Sequence, residues 1–156
     1  LAAEILDIES RRLESTAFVL RANNEDLNIF NKDFPFKETA DQLEAISAIQ
    51  KDIALVKPMN RVLCGDVGFG KTEVAMRSAF VCINSNKQAI LLCPSTVLSE
   101  QHYESFLERF KNTGASIKII NRHTTKKNKD EYVKGFKNKN IDIIIGTHAL
   151  YTCGTV

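Results

Sequence analysis

The octapeptide Gly65-Asp66-Val67-Gly68-Phe69-Gly70-Lys71-Thr72 constrains the fold more than any other stretch of the chain. It satisfies G-x-x-x-x-G-K-[ST], a pattern that works in one setting, directly after a strand and at the mouth of a helix. Both flanks fit. The apolar run RVLC, Arg61 to Cys64, reads as a strand, and a helical pattern from Lys71 to Ile83 follows at once. The glycines let successive N–H groups turn toward phosphate oxygens, and the helix start adds partial positive charge. On this chemistry Gly65, Asp66, Val67, Gly68, Phe69 and Gly70 form a phosphate cradle. Lys71 reaches the β and γ phosphates of a nucleotide, and Thr72 ligates Mg²⁺.

The rest of the chain supplies the layers that such a loop needs. A helix is expected from Asp41 to Ile53, with Leu43, Ile46, Ile49 and Ile53 inward. Strand AILLC (Ala89 to Cys93), a helix from Val97 to Phe110, and strand SIKII (Ser116 to Ile120) follow. A lysine-rich helical stretch then leads to IDIIIGT, Ile141 to Thr147. Short apolar runs alternating with helices point to an α/β fold, a parallel sheet covered by helices on both faces. The opening LAAEILDIESRRLESTAFVL has the periodicity of an amphipathic helix of about five turns, and the polar RANNEDLN breaks it. This divides the chain into an N-terminal helix and linker, 1–30, and one α/β unit, 31–156. The chain starts inside a helical pattern and ends just after a strand and turn, as expected of an excerpt from a longer protein.

Composition narrows the function classes. The 156 residues are 44% hydrophobic, enough for one packed domain, and the net charge of +2 neither demands nor excludes nucleic acid. Cys64, Cys82, Cys93 and Cys153 lack metal-ligand spacing and read as reduced thiols of a cytoplasmic protein. No apolar run reaches the ~18 residues of a membrane span, and no secretory leader pattern is present, so no membrane partner is expected. NKDE at Asn128 and NKNID at Asn138 miss the N-K-x-D guanine-reading element, which argues against a GTPase. The lysines from Lys126 to Lys139 surround their helix on all sides, with only Tyr132 and Phe136 interleaved, and read as a solvated face.

Three further motifs name the class of machine. FPFKETADQ, Phe34 to Gln42, resembles the Q motif of superfamily-two helicases, in which an aromatic residue, here Phe36, contacts adenine and Gln42 reads its edge. Thr39-x-x-Gln42 is equally a capping box, and the segment alone leaves both roles open. LLCPSTVLSEQHY, Leu91 to Tyr103, resembles the helicase P-T-x-x-L-x-x-Q element, with Ser95 in place of threonine. Its Pro94-Ser95-Thr96 turn offers backbone and hydroxyl groups to a nucleic-acid phosphate, or an ordinary helix cap. IDIIIGTHAL, Ile141 to Leu150, resembles the G-T-H element.

In this order, with EVAMRSAF after the phosphate loop, the motifs over nearly the whole chain resemble the transcription-repair coupling factor family of DNA translocases. The nearest alternative is the sister family of branch-migrating DNA helicases. The resemblance implies an ATP- and Mg²⁺-dependent first motor lobe acting on double-stranded DNA, in a protein that displaces stalled RNA polymerase and recruits repair factors. It also implies DNA contacts at Pro94, Ser95, Thr96, Gln101, Arg122, Gly146, Thr147 and His148. Ala40 stands where the family often has proline, and INRHTT, Ile119 to Thr125, replaces its usual S-R-F. No D-E-x-H element is present in the 156 residues, and the arginine finger belongs to a second motor lobe. The 156 residues alone are therefore expected to act as a nucleotide-binding module without turnover.

Overall fold

The computed structural model describes residues 2–152. Helices α1 (Ala2–Glu14), α2 (Asn24–Lys32), α3 (Ala40–Ile53) and α4 (Lys71–Asn84) come first. Strand β1 (Ala89–Leu92), helix α5 (Thr96–Phe110), strand β2 (Ile117–Ile120), helix α6 (Lys126–Lys137), strand β3 (Ile143–Gly146) and the short helix α7 (Ala149–Thr152) complete the order. The three strands form one parallel sheet in the order β1-β3-β2. All four residues of β3 are buried.

Alternation along β3 feeds two cores. Ile143 and Ile145 face a cluster that includes Phe30 of α2, Met76 and Phe80 of α4, and Phe106 and Phe110 of α5. Ile144 faces the other way, with Ile120, Ile141 and Leu150, against Tyr132, Val133 and Phe136 of α6. The expected α/β class, a parallel sheet flanked by helices, is thus what the chain builds. The two aromatics of the lysine-rich segment are spent on this second core, which leaves the lysines on the outer surface. A third cluster joins Ile46 and Ile49 of α3 to Val74 of α4, with Leu63 against it.

Besides Leu43, which was expected inward and is 50% exposed, three expectations need correction. Arg61 to Cys64 is not a strand. Leu63 is anchored in the third cluster, but Val62 is 83% exposed, and no strand among the described residues pairs with this segment. An extended run becomes a strand only by hydrogen bonding to a neighbour, which its own sequence cannot provide. The first helix stops at Glu14, short of five turns. Ser15 Oγ donates back to Arg11 O, and residues 15–23 form no regular element, several of their amides finding partners elsewhere in the fold. Leu20 N donates to Ile53 O, Arg21 N to Ser85 Oγ and Asn23 N to Asn84 Oδ1. Third, the polar RANNEDLN contains the start of α2. Asn23 caps it by accepting from Glu25 N at 2.9 Å, acids fill the first turn, and Phe30 is buried against Phe80.

Candidate nucleotide and nucleic-acid sites

Gly65 to Gly70 form the loop that enters α4. Gly68 and Gly70 hold φ of +84° and +77°, a left-handed conformation that side chains with a Cβ rarely adopt. Space demands glycine too. A Cβ on Gly70 would overlap Gln42 Nε2, and one on Gly65 would lie 2.8 Å from the Phe69 ring. Gly70 is the N-cap of α4 and makes no side-chain cap hydrogen bond, whereas Asn23, Thr39, Ser95 and Thr125 cap α2, α3, α5 and α6. No side chain caps the first turn of α4; Glu73 N donates to Gly70 O at 3.0 Å, which leaves the Lys71 and Thr72 amides for another acceptor, an arrangement that suits a phosphate. Lys71 Nζ folds back over the loop and donates to the carbonyls of Gly65 and Asp66, both at 2.6 Å. Asp66 and Val67 sit exposed at the tip. Loop, uncapped helix and a cation close by form a donor set that fits a nucleotide polyphosphate.

Gln42 does two things at once. Its Oε1 accepts from Thr39 N at 2.9 Å while Thr39 Oγ1 accepts from Gln42 N, so the capping box is complete. Its Nε2 donates to Phe69 O at 2.6 Å, which ties the start of α3 to the phosphate loop. An amide has two donors and two acceptor lone pairs, so one of each remains for a base edge. Phe36 stands 73% exposed, edge-on to Phe34 at 5.6 Å.

Beside Thr72 lies a cleft of about 660 Å³, lined by Phe34, Pro35, Met76 and Arg109 among others. Its inner wall carries a group that sequence reasoning did not single out. Glu73 is buried, and its carboxylate accepts from Arg77 Nε at 2.8 Å and from Arg109 Nη2 and Nε at 2.8 and 3.0 Å. Arg77 Nη2 in turn donates to Glu38 Oε1 at 2.6 Å. That bond is the main reason the Glu38 carboxyl titrates below the usual glutamate range. The Glu73-x-x-x-Arg77 spacing was a local signal for one of these bonds.

The other sequence-predicted residues gather at the carboxyl edge of the sheet. In-register pairing places Leu92, Ile120 and Gly146 side by side, so the loops after β1, β2 and β3 emerge together. Cys93 N donates to Gly146 O and Thr147 N to Ile120 O, which draws them closer. Pro94, Ser95, Thr96, Arg122, Thr147 and His148 line one shared cleft of about 430 Å³. Ser95 Oγ accepts from Leu98 N at 3.2 Å, so the cap reading holds for this residue. Asn121 is buried and steadies the Arg122 turn, accepting from His123 N and donating to Ser99 Oγ on α5. Gly146 is buried, and a Cβ there would overlap Ile120 O, so it permits strand contact instead of presenting a surface. Gln101 does not join this group; it lines the cleft beside Thr72.

A phosphate loop at a helix start and a polar cleft at the carboxyl edge of a parallel sheet are shared by many machines, and comparison with known proteins separates them. The family model described as DEAD/DEAH box helicase matches residues 39–152. The chain belongs to the DEAD/DEAH box helicase family. It is 43% identical over 150 residues to the transcription-repair-coupling factor of Bacillus subtilis and 42% identical over 150 residues to that of Escherichia coli. Each alignment covers 96% of this chain but 13% of the relative. These relatives bear out the resemblance read in the motifs. Among solved structures, RecG bound to a three-way DNA junction superposes with a TM-score of 0.85 at 33% identity, covering 94% of this chain and 20% of that one. A hypothetical ATP-dependent RNA helicase from Sulfolobus tokodaii, 18% identical with a TM-score of 0.61, shares the fold. Membership in the DEAD/DEAH box helicase family implies nucleotide binding. Among the described residues no helix is long and apolar enough to cross a membrane.

Proposed function

We propose that residues 31–156 are most of the first motor lobe of an ATP-driven double-stranded DNA translocase, and that residues 1–30 link it to a preceding region. The observation that carries this reading is the meeting of Pro94–Thr96, Arg122 and Thr147–His148 in one cleft, on a chain whose α4 start is built for phosphates. In the whole protein the lobe would serve displacement of stalled RNA polymerase and recruitment of repair factors, a reading that rests on the motif resemblance and is supported by relatives named transcription-repair-coupling factor.

Bound Mg·ATP supplies the energy of phosphoryl transfer to water. The chain's own residues hold it. The Gly65–Gly70 amides and the α4 start would donate to the phosphate oxygens, Lys71 would turn from its two loop carbonyls to the phosphates, and Thr72 would offer its hydroxyl to Mg²⁺. Gln42 and Phe36 take the adenine, with Gln42 reporting base occupancy to Phe69 through its existing bond. Hydroxyls and amides of Pro94–Thr96 and Thr147–His148, with Arg122, grip the DNA backbone, while Gly146 contributes spacing. Lobe closure on ATP and reopening after hydrolysis then ratchet the duplex. Residues 1–156 alone bind Mg·ATP weakly without turnover, because the water-positioning carboxylates and the arginine finger are not among them.

In the full-length protein, Lys71→Ala abolishes ATP-dependent displacement of a stalled polymerase and leaves polymerase binding intact. Displacement that survives this change would refute the motor assignment. The likeness to the RecG structure favours one second reading, a branch-migrating helicase. A full-length protein that unwinds branched DNA and ignores stalled polymerase would select it.

A further inference from the structure

Helix α5 joins the two sites described above. Its first residue, Thr96, lies in the cleft with Arg122 and His148, and near its far end Arg109 grips Glu73, the residue after Thr72. Its 15 residues make a rod about 22 Å long. We propose that α5 is a lever between the DNA-facing cleft and the phosphate loop, and that the Arg109–Glu73 pair is its joint, with Arg109 acting as a positioning residue. The inference rests on the reading of these two sites under Proposed function.

The joint has the chemistry of a directional link. Arg109 presents Nε and Nη2 as a fork to the two Glu73 oxygens, which fixes angle as well as distance. The same guanidinium lies 3.8 Å above the Phe30 ring and donates to Phe30 O, so it cannot swing without breaking contacts on α2. Arg77 clamps Glu73 from within α4 and carries the linkage on to Glu38, in the loop that precedes Gln42. A displacement of α5 along its axis thus reaches the first turn of α4 and the segment leading to the base-reading glutamine.

Stability alone does not account for such a group. Buried ion pairs are commonly no better for stability than apolar residues of similar volume, whereas apolar side chains can slide past one another and a fork cannot. The fork is also unsaturated. Arg109 Nη1 is buried and has no acceptor among the described residues.

The test uses the full-length protein, with ATP turnover measured with and without duplex DNA for wild type, Arg109→Lys and Arg109→Gln. Lysine keeps the charge and loses the fork. The lever predicts that Arg109→Lys lowers the DNA stimulation of turnover by about fivefold or more. DNA-free turnover and nucleotide-free duplex affinity should fall by clearly less than the stimulation does. If Arg109→Gln does not fold, Arg109→Lys decides the question. A variant that keeps full stimulation, or that loses DNA-free and DNA-stimulated turnover in proportion, would overturn the joint while leaving the motor reading intact. A wild-type protein that duplex DNA does not stimulate at all would remove the motor reading and the lever with it.

Discussion

Helices α4 and α5 both begin after a short turn, and they differ in what caps the first turn. Each is proposed to meet phosphate. At α5 the Ser95 hydroxyl fills the first turn by accepting from Leu98 N, so a nucleic-acid phosphate there must share donors with the protein's own cap. At α4 the cap is a left-handed glycine without a side chain, so no side chain occupies the first-turn amides. On the proposed reading, the difference would separate a charge-intensive nucleotide site from a repeated grip on DNA. A motor has to release DNA at each step, and it must hold its nucleotide through lobe closure.

Substitutions at these two starts, taken from the largest expected effect, can break the contrast. Gly70→Ser would give α4 the cap that α5 has. Its Cβ would meet Gln42 Nε2 and its backbone would be strained at φ +77°. The variant should lose Mg·ATP affinity by tenfold or more, about 1.4 kcal/mol, in a titration with a fluorescent nucleotide. Unchanged affinity would mean that the uncapped turn is not the phosphate site. Ser95→Ala should cost about 1 kcal/mol of stability in denaturant unfolding by removing a cap, with nucleotide affinity unaltered. If nucleotide affinity falls as well, the two helix starts are not separate sites.

The smallest effect concerns the charge chain that exists on the α4 side alone. Glu38 is held below its ordinary range chiefly by the hydrogen bond from Arg77. A depressed carboxylate stabilises the fold above its unfolded value, near ~4.3, and loses that contribution as pH falls through the lower folded value. Glu38→Gln should therefore cost up to about 1 kcal/mol at neutral pH, a gap that closes below about pH 4. A gap that stays constant with pH would show that the carboxylate charge is not what Arg77 uses.

How much of this was legible in the chain depended on whether the signal was local. The loop motif is written within eight residues, the Thr39 capping box and the Ser95 cap within four, and the structure has the glycine-entered helix and both caps. The strands β1, β2 and β3 were legible because β-rich apolar runs between helices leave few alternatives. Arg61 to Cys64 carries the same apolar signal and is not a strand, because pairing is a property of neighbours. The α2 start was legible and passed over, since Asn23 with Glu25 and Asp26 is a cap followed by an acidic first turn. The Arg109–Glu73 joint was beyond reading, because 36 residues separate its partners and no periodicity links them. The convergence of Arg122 with His148 belongs to the same class, since only the sheet order β1-β3-β2 brings their loops together.

ATP turnover by the full-length protein, measured with and without duplex DNA, tests the central claim most directly. An ATP-driven duplex translocase predicts turnover that rises severalfold on adding duplex DNA. Turnover that is absent, or indifferent to duplex DNA, would contradict it.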